Sequence, residues 1–285
     1  MIRPIKEIRT VKNTAKNLAS KSLSNKDYKN YFRPIDYTRT AEIPAVLFNS
    51  RILDEKGKQL KILDISSPQI LCATLSEVSK NWSITYNNPF QPELEEMNQL
   101  IKTLSLNNIV VKKIDITKKN EIDKLDGEFD YIFSVSVFEH IYPESNGDIT
   151  AIQNIRSLLK KGGLFILSVP FYKEAFNEYK VGDIYMFKNI EDKKSFFQRF
   201  YDEESLNDRL IIPSGLVLES NLFLGERLYY PRNIKKRLSQ KMQSKLSSVL
   251  LGKFFFNISR YFFTYSNDYK KLKKPYIAVI SLRNK

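Results

Sequence analysis

From residue 58 onward, short β-prone runs alternate with helix-prone runs, and few folds accept that rhythm. Lys61–Ile65, Trp82–Tyr86, Asn108–Ile114, Phe129–Phe133 and Leu164–Val169 are compact and rich in apolar residues. Between them lie Pro68–Ser79, Pro92–Leu104, Lys118–Leu125 and Ile152–Leu159, which read as helices. Strands separated by helices need crossover connections, so the expectation is an α/β fold with a mainly parallel sheet and helices on both faces. Pro68 stands at a first helical turn, where its missing N–H costs nothing, and Ser67 before it is a candidate cap. Lys160-Lys161-Gly162-Gly163 reads as the end of a helix, with lysines in the last turn and glycine at the left-handed cap. After Pro170 the rhythm breaks. Phe171–Tyr201 reads as a polar, aromatic connection, Asp202-Glu203-Glu204 as the first turn of a helix, and Leu216–Leu224 and Tyr276–Leu282 as two more strands. Residues 1–57 are polar and basic, with Pro34 and Pro44 as breaks, and predict an extension of one or two helices, the first of them solvated.

The stretch GEFDYIFSVSVFEHI, Gly127–Ile141, opens a strand with Phe129-Asp130 and carries a Glu139-His140 pair just beyond it. Leu159-Lys160-Lys161-Gly162-Gly163 follows. This order of motifs resembles the second half of the class I S-adenosylmethionine-dependent methyltransferases, of the type 11-like kind, and the likeness runs more weakly over residues 58–225 and again near Tyr276–Leu282. The resemblance implies a Rossmann-like, seven-stranded sheet in the order 3-2-1-4-5-7-6 with the last strand antiparallel. It also implies S-adenosylmethionine as cofactor, bound beyond the carboxyl ends of the strands where strand order reverses. Asp64 matches the family acid after the first strand, but Ser66 and Pro68 stand where the family writes its turn glycines. Asn87 takes the place of the family's ribose-binding acid. Asp115 matches the acid on the adenine side, and Ser134 and Ser136 face the methionine side. Asp64 and Asp115 equally suit strand-end capping.

His140 is a candidate general base, since an imidazole's intrinsic pKa suits removal of a proton from an acceptor, or else a residue that fixes its turn. Phe171, Tyr172 and Glu174 are candidates for the acceptor pocket. The activity implied is transfer of a methyl group to an O or N of a small-molecule, glycan or lipid-linked acceptor. A different reading is a non-catalytic protein that keeps the fold without the cofactor, serving as a binding or membrane-associated subunit, and the missing loop glycines point to it.

One cysteine, Cys72, and one histidine leave no Cys-based cluster, and no metal site is expected. Cys72, among Leu71, Ala73 and Leu75, reads as a small core residue. Between Pro231 and Pro275 stand twelve Lys or Arg against one acid, Asp268, so most of the net charge of +14 is local to that stretch. It predicts a basic, aromatic helical insertion over 226–274 within a methyltransferase-like domain of 58–285. On a helix, Leu250, Leu251, Phe254, Phe255, Ile258, Tyr261, Phe262 and Tyr265 would share one face. Residues 232–274 thus suit an anionic membrane surface or a lipid-like acceptor, or packing on the sheet edge. Nucleic acid is disfavoured, because no Asp/Asn-Pro-Pro-aromatic motif follows the fourth strand. Met1–Ser20 holds no apolar signal segment, and the expected location is cytoplasmic, peripheral to a membrane if the insertion seats there.

Overall fold

The computed structural model describes residues 2–24, 38–125, 127–181, 194–227 and 262–285. Two helices come first, α1 (Ile5–Ser24) and α2 (Arg39–Ser50), and the alternation then begins with β1 (Leu60–Ile65), α3 (Gln69–Val78) and β2 (Trp82–Asn87). It continues through α4 (Gln91–Leu104), β3 (Ile109–Lys112), α5 (Lys119–Ile122), β4 (Phe129–Val135), α6 (Gly147–Ile155) and β5 (Leu159–Pro170). A hairpin of β6 (Phe176–Val181) and β7 (Lys194–Phe200) follows, then helical turns over Glu203–Leu206, Asn207–Ile211 and Ile212–Ser214, and the strands β8 (Val217–Glu226), β9 (Phe263–Ser266) and β10 (Pro275–Arg283).

The main sheet runs β3-β2-β1-β4-β5-β10-β8-β9. Its first five strands are parallel, and β10 lies antiparallel between β5 and β8. The sheet therefore has eight strands rather than the seven expected. The addition is β9, antiparallel to β8, and it contains Tyr265, which the sequence reading had placed on a helix. Phe262 of the same face is partly buried just before β9, while the other residues of that helix face, and the basic cluster Arg232–Lys245, lie outside the described residues.

Both faces of the sheet are covered, which is why β1 carries four consecutive buried residues, Ile62, Leu63, Asp64 and Ile65, instead of an alternation. One core lies between the sheet and α1 to α4, and the other between the sheet, α5, α6 and the helical turns after the hairpin. Each fully buried Leu, Ile or Phe contributes about 1.5–3 kcal/mol by leaving water. Cys72 is one of these buried residues. The first helix is not merely solvated: Pro4, Glu7, Val11, Thr14 and Leu18 are buried at three- and four-residue spacing, and α1 packs on α2, α3 and α4. Pro44 does not break the chain either. It lies inside α2, which forgoes the single N–H bond a proline cannot make there, and Pro44 is buried along with Ile43, Ala45 and Val46.

Gly162 and Gly163 end no helix. α6 stops at Ile155, a 3-10 turn carries the chain to Leu158, and β5 begins at once with Leu159 opposite Phe129. The pairing then skips to Leu164 opposite Tyr131, so Lys160–Gly163 loop out within the strand. Gly162 takes φ +80°, and a Cβ on Gly163 would stand 2.9 Å from the carbonyls of Lys160 and Phe129. Lys160 turns to Asp130, 2.9 Å away, rather than to a helix end.

Candidate functional site at the carboxyl ends of the parallel strands

The turn leaving β1 keeps a left-handed residue without using glycine. Ser66 has φ +53°, a conformation that costs an ordinary residue on the order of 1 kcal/mol. Its backbone N–H and its hydroxyl both donate to the Asn87 carbonyl, at 2.8 and 3.1 Å, which ties β1 to the end of β2. Ser67 does not cap α3. Its N–H donates to Asp64 Oδ1 at 3.0 Å, while its hydroxyl accepts the Val135 N–H of β4, also at 3.0 Å. Pro68 itself stands at the N-cap, with no side chain capping the helix. The glycines are replaced by a hydroxyl-stapled turn that spends its own N–H groups.

Around this turn are buried polar atoms with no hydrogen-bond partner among the described residues. Asp64 is fully buried and, among the described residues, its Oδ2 has no hydrogen-bond partner. Burial pushes its carboxyl up to about 7, against the opposing pull of Ser67. Asn87 is fully buried with both amide atoms unpartnered among the described residues. An orphaned buried polar group costs about 1–3 kcal/mol, so native proteins keep few of them. Asp115 behaves differently. It accepts from the N–H and hydroxyl of Thr117 at 3.0 and 2.7 Å, and Lys118 lies 3.5 Å from its Oδ2. The structure thus gives Asp115 a local turn to hold.

Beyond β4, Ser134 donates to the Ile65 carbonyl at 3.3 Å and so staples β4 to β1. Ser136, at φ +52°, donates instead to Glu42 Oε1 at 2.7 Å, and Ser168 of β5 donates to the same oxygen at 2.8 Å. Arg39 pairs with the other oxygen of Glu42. Glu42 is fully buried, so α2 lowers a carboxylate onto the ends of β4 and β5. The sequence reading did not find Glu42. Its signal was an acid set inside the apolar run AEIPAVL.

Glu139 and His140 follow in a 3-10 turn, Phe138–His140. Glu139 is buried, its Oε2 unpartnered among the described residues, and burial with Glu42 nearby pushes it up to about 8. His140 Nδ1 lies 2.6 Å from the Phe197 carbonyl, which can only accept, so Nδ1 carries the proton and Nε2 is the acceptor. Burial holds this imidazole down to about 4 and therefore neutral. Its Nε2 is 3.7 Å from Glu139 Oε1.

The hairpin missed in the sequence fixes this turn. Arg199 of β7, buried, donates to the carbonyls of Ile141 and Pro143 at 2.8 Å and of Glu144 at 3.2 Å. Asp148 of α6 receives Arg209 at 2.6 Å and the Tyr201 hydroxyl at 2.8 Å, completing the support. A separate cleft of about 570 Å³ opens beside Phe171 and Tyr172, with Leu206, Phe223 and Tyr269 in its walls. Glu174 is not among its lining residues.

No family model and no curated protein matches the chain. Solved structures do match it in fold. Coclaurine N-methyltransferase, bound to N-methylheliamine and SAH, superposes with a TM-score of 0.54 at 14% identity, covering 98% of this chain and 86% of that one. An S-adenosylmethionine-dependent methyltransferase from Clostridium acetobutylicum superposes with a TM-score of 0.50 at 13% identity, covering 87% of this chain and 92% of that one. At such identities the likeness is one of fold: an α/β, Rossmann-like sheet of the class I methyltransferase kind.

Proposed function

We propose that this chain is an S-adenosylmethionine-dependent methyltransferase acting on an O or N of a small-molecule, glycan or lipid-linked acceptor. The observation that carries the reading is the set of orphaned polar atoms at the ends of adjoining strands: Asp64 Oδ2 on β1, both amide atoms of Asn87 on β2, and Glu139 Oε2 after β4. In an open α/β sheet that is where ligands bind, and a polar, charged ligand is what such groups lack. The residues present fit the cofactor in kind. Asn87 offers a donor and an acceptor to ribose hydroxyls, Asp64 and Ser66 frame the turn, and Ser134 and Ser136 fix the end of β4. Asp115 would reach the adenine side only by sharing its turn. The bound cofactor supplies a methyl group already activated on a sulfonium, so the protein's share of the work is alignment and exclusion of water. His140, neutral with Nε2 as an acceptor, suits orienting an acceptor's N–H or O–H more than holding a full proton, because burial weakens its basicity. The cleft beside Phe171 and Tyr172, which His140 does not line, would take the part of the acceptor away from its reacting atom in this reading. The basic stretch 232–274 would hold the protein against an anionic membrane surface when the acceptor is lipid-linked.

Titration calorimetry with S-adenosylmethionine and S-adenosylhomocysteine tests this. Micromolar binding by the native chain, lost in Asn87→Leu, supports it. Absence of heat at several temperatures, from folded protein, favours the second reading, a non-catalytic member of the fold. A specific observation stands behind that alternative: in the β1 turn Ser66 and Ser67 have committed their N–H groups and Pro68 has none.

A further inference from the structure

Glu42 and Glu139 are near enough to repel each other at the β4 end, and the hydrogen bonding around Glu139 is incomplete among the described residues. Glu42 has three donors, from Arg39, Ser136 and Ser168. Glu139 Oε2 has none among the described residues, although it is buried. The neighbours that could serve it are engaged elsewhere. His140 turns its Nδ1–H to Phe197, Arg199 spends its guanidinium on loop carbonyls, and Lys180 sits 2.9 Å above the Phe197 ring. Among the described residues Arg39 is the cation that acts on Glu139, and it is already paired with Glu42. A buried carboxylate is tolerated when it is paired and costly when it is not.

We infer that Glu139, with Glu42 beside it, seats a cationic group of the methyl donor. Two groups of that donor share the chemistry, the sulfonium and the α-ammonium. The inference rests on the methyltransferase reading and adds to it a residue outside the β1 turn and the ribose position. A cation at this point would satisfy Oε2 and would displace the proton that burial keeps on Glu139 at neutral pH. Among the described residues Arg39, Glu42, His140 and the Tyr201 hydroxyl are the charged or titratable groups near it, and His140, held neutral, contributes no competing charge.

Three ligands separate the possibilities in one calorimetric series on the full chain. S-adenosylmethionine carries both cations, S-adenosylhomocysteine only the ammonium, and 5′-methylthioadenosine neither. Glu139→Gln keeps the size of the side chain and removes its charge, and its folding is checked by the fluorescence of Trp82. The expected result is at least about a tenfold loss of affinity for S-adenosylmethionine in this variant, with 5′-methylthioadenosine unchanged. Loss confined to S-adenosylmethionine assigns the sulfonium, and equal loss for S-adenosylhomocysteine assigns the ammonium. Native binding should also release a proton, read from heats in buffers of different ionisation enthalpy, and Glu139→Gln should not. Unchanged affinity for all three ligands, or an equal loss for all three, overturns the inference while leaving cofactor binding intact. Failure of the native chain to bind any of them removes the methyltransferase reading itself. Should Glu139→Gln misfold, Glu139→Asp, which retains the charge one methylene short of its place, is expected to weaken the cationic ligands selectively. Equal treatment of charged and uncharged ligands by that variant likewise overturns the inference.

Discussion

Glu139 and His140 are adjacent in the chain, yet burial drives them in opposite directions. The carboxyl rises to about 8 and the imidazole falls to about 4 because desolvation disfavours whichever form is charged. The two leave different marks on stability. Folded Glu139 keeps a proton that the unfolded chain loses above about 4.5, so its contribution declines as pH rises toward about 8. Asp64 acts in the same direction, between 3.8 and about 7. His140 acts oppositely, favouring the folded state as pH rises from about 4 to 6.5. Between pH 6.5 and 8 the histidine no longer contributes, and the native chain should lose up to about 1.4 kcal/mol per pH unit through Glu139. Urea unfolding at the two ends of that window checks it, with a shallower decline expected in Glu139→Gln. An equal decline in both proteins would contradict the assignment. At this scale the sequence showed an acid beside a histidine and named the histidine as base. Which of the two holds the proton depends on burial, reinforced at Glu139 by the α2 carboxylate and opposed at His140 by the Phe197 carbonyl, and the covering elements come from parts of the chain remote in sequence.

The elements were legible where hydrophobic periodicity marks them, and illegible where geometry alone does. β1, β2, β4 and the late strands stand within a residue or two of the apolar runs that announced them, because a strand covered on both faces must be apolar throughout. The loop Lys160–Gly163 carries the residues of a helix terminus and is instead an excursion inside β5. Glycine serves a left-handed cap and a crowded strand crossing equally well, and sequence does not separate the two uses. The crowding gives a sharp expectation. Gly163→Ala should cost about 1–3 kcal/mol by forcing a methyl onto two backbone carbonyls, whereas Gly57→Ala, which has open space around it, should stay within about 0.5 kcal/mol. Thermal denaturation of both variants measures this, and equal midpoints would mean that the loop yields. The hairpin β6–β7 escaped the reading because its residues are mixed polar and aromatic, with β6 largely exposed, so no buried face imposes alternation on it.

At the scale of the whole molecule, the N-terminal helices are part of the sheet's covering layer and part of the site. α2 packs on β5, β8 and β10 and delivers Glu42 to two strands at once. Glu42→Ala would leave Arg39, Ser136 and Ser168 facing an empty site and should destabilise the fold by about 3 kcal/mol. Trp82, the only tryptophan, is buried at the start of β2 and reports the loss as a lower denaturation midpoint. A midpoint unchanged in Trp82 fluorescence while α2 amides exchange faster would show instead that α2 opens independently. The order of the strands has one more consequence. β10 lies between β5 and β8, so β8 and β9 emerge from the ribosome before the strand that joins them to the rest exists. Until β10 is made, the growing chain carries a half-sheet ending at the open side of β5 and an unattached pair. Vectorial synthesis thus delays closure of the sheet, and the exposed edge of β5 is where a nascent-chain chaperone would have the longest time to act.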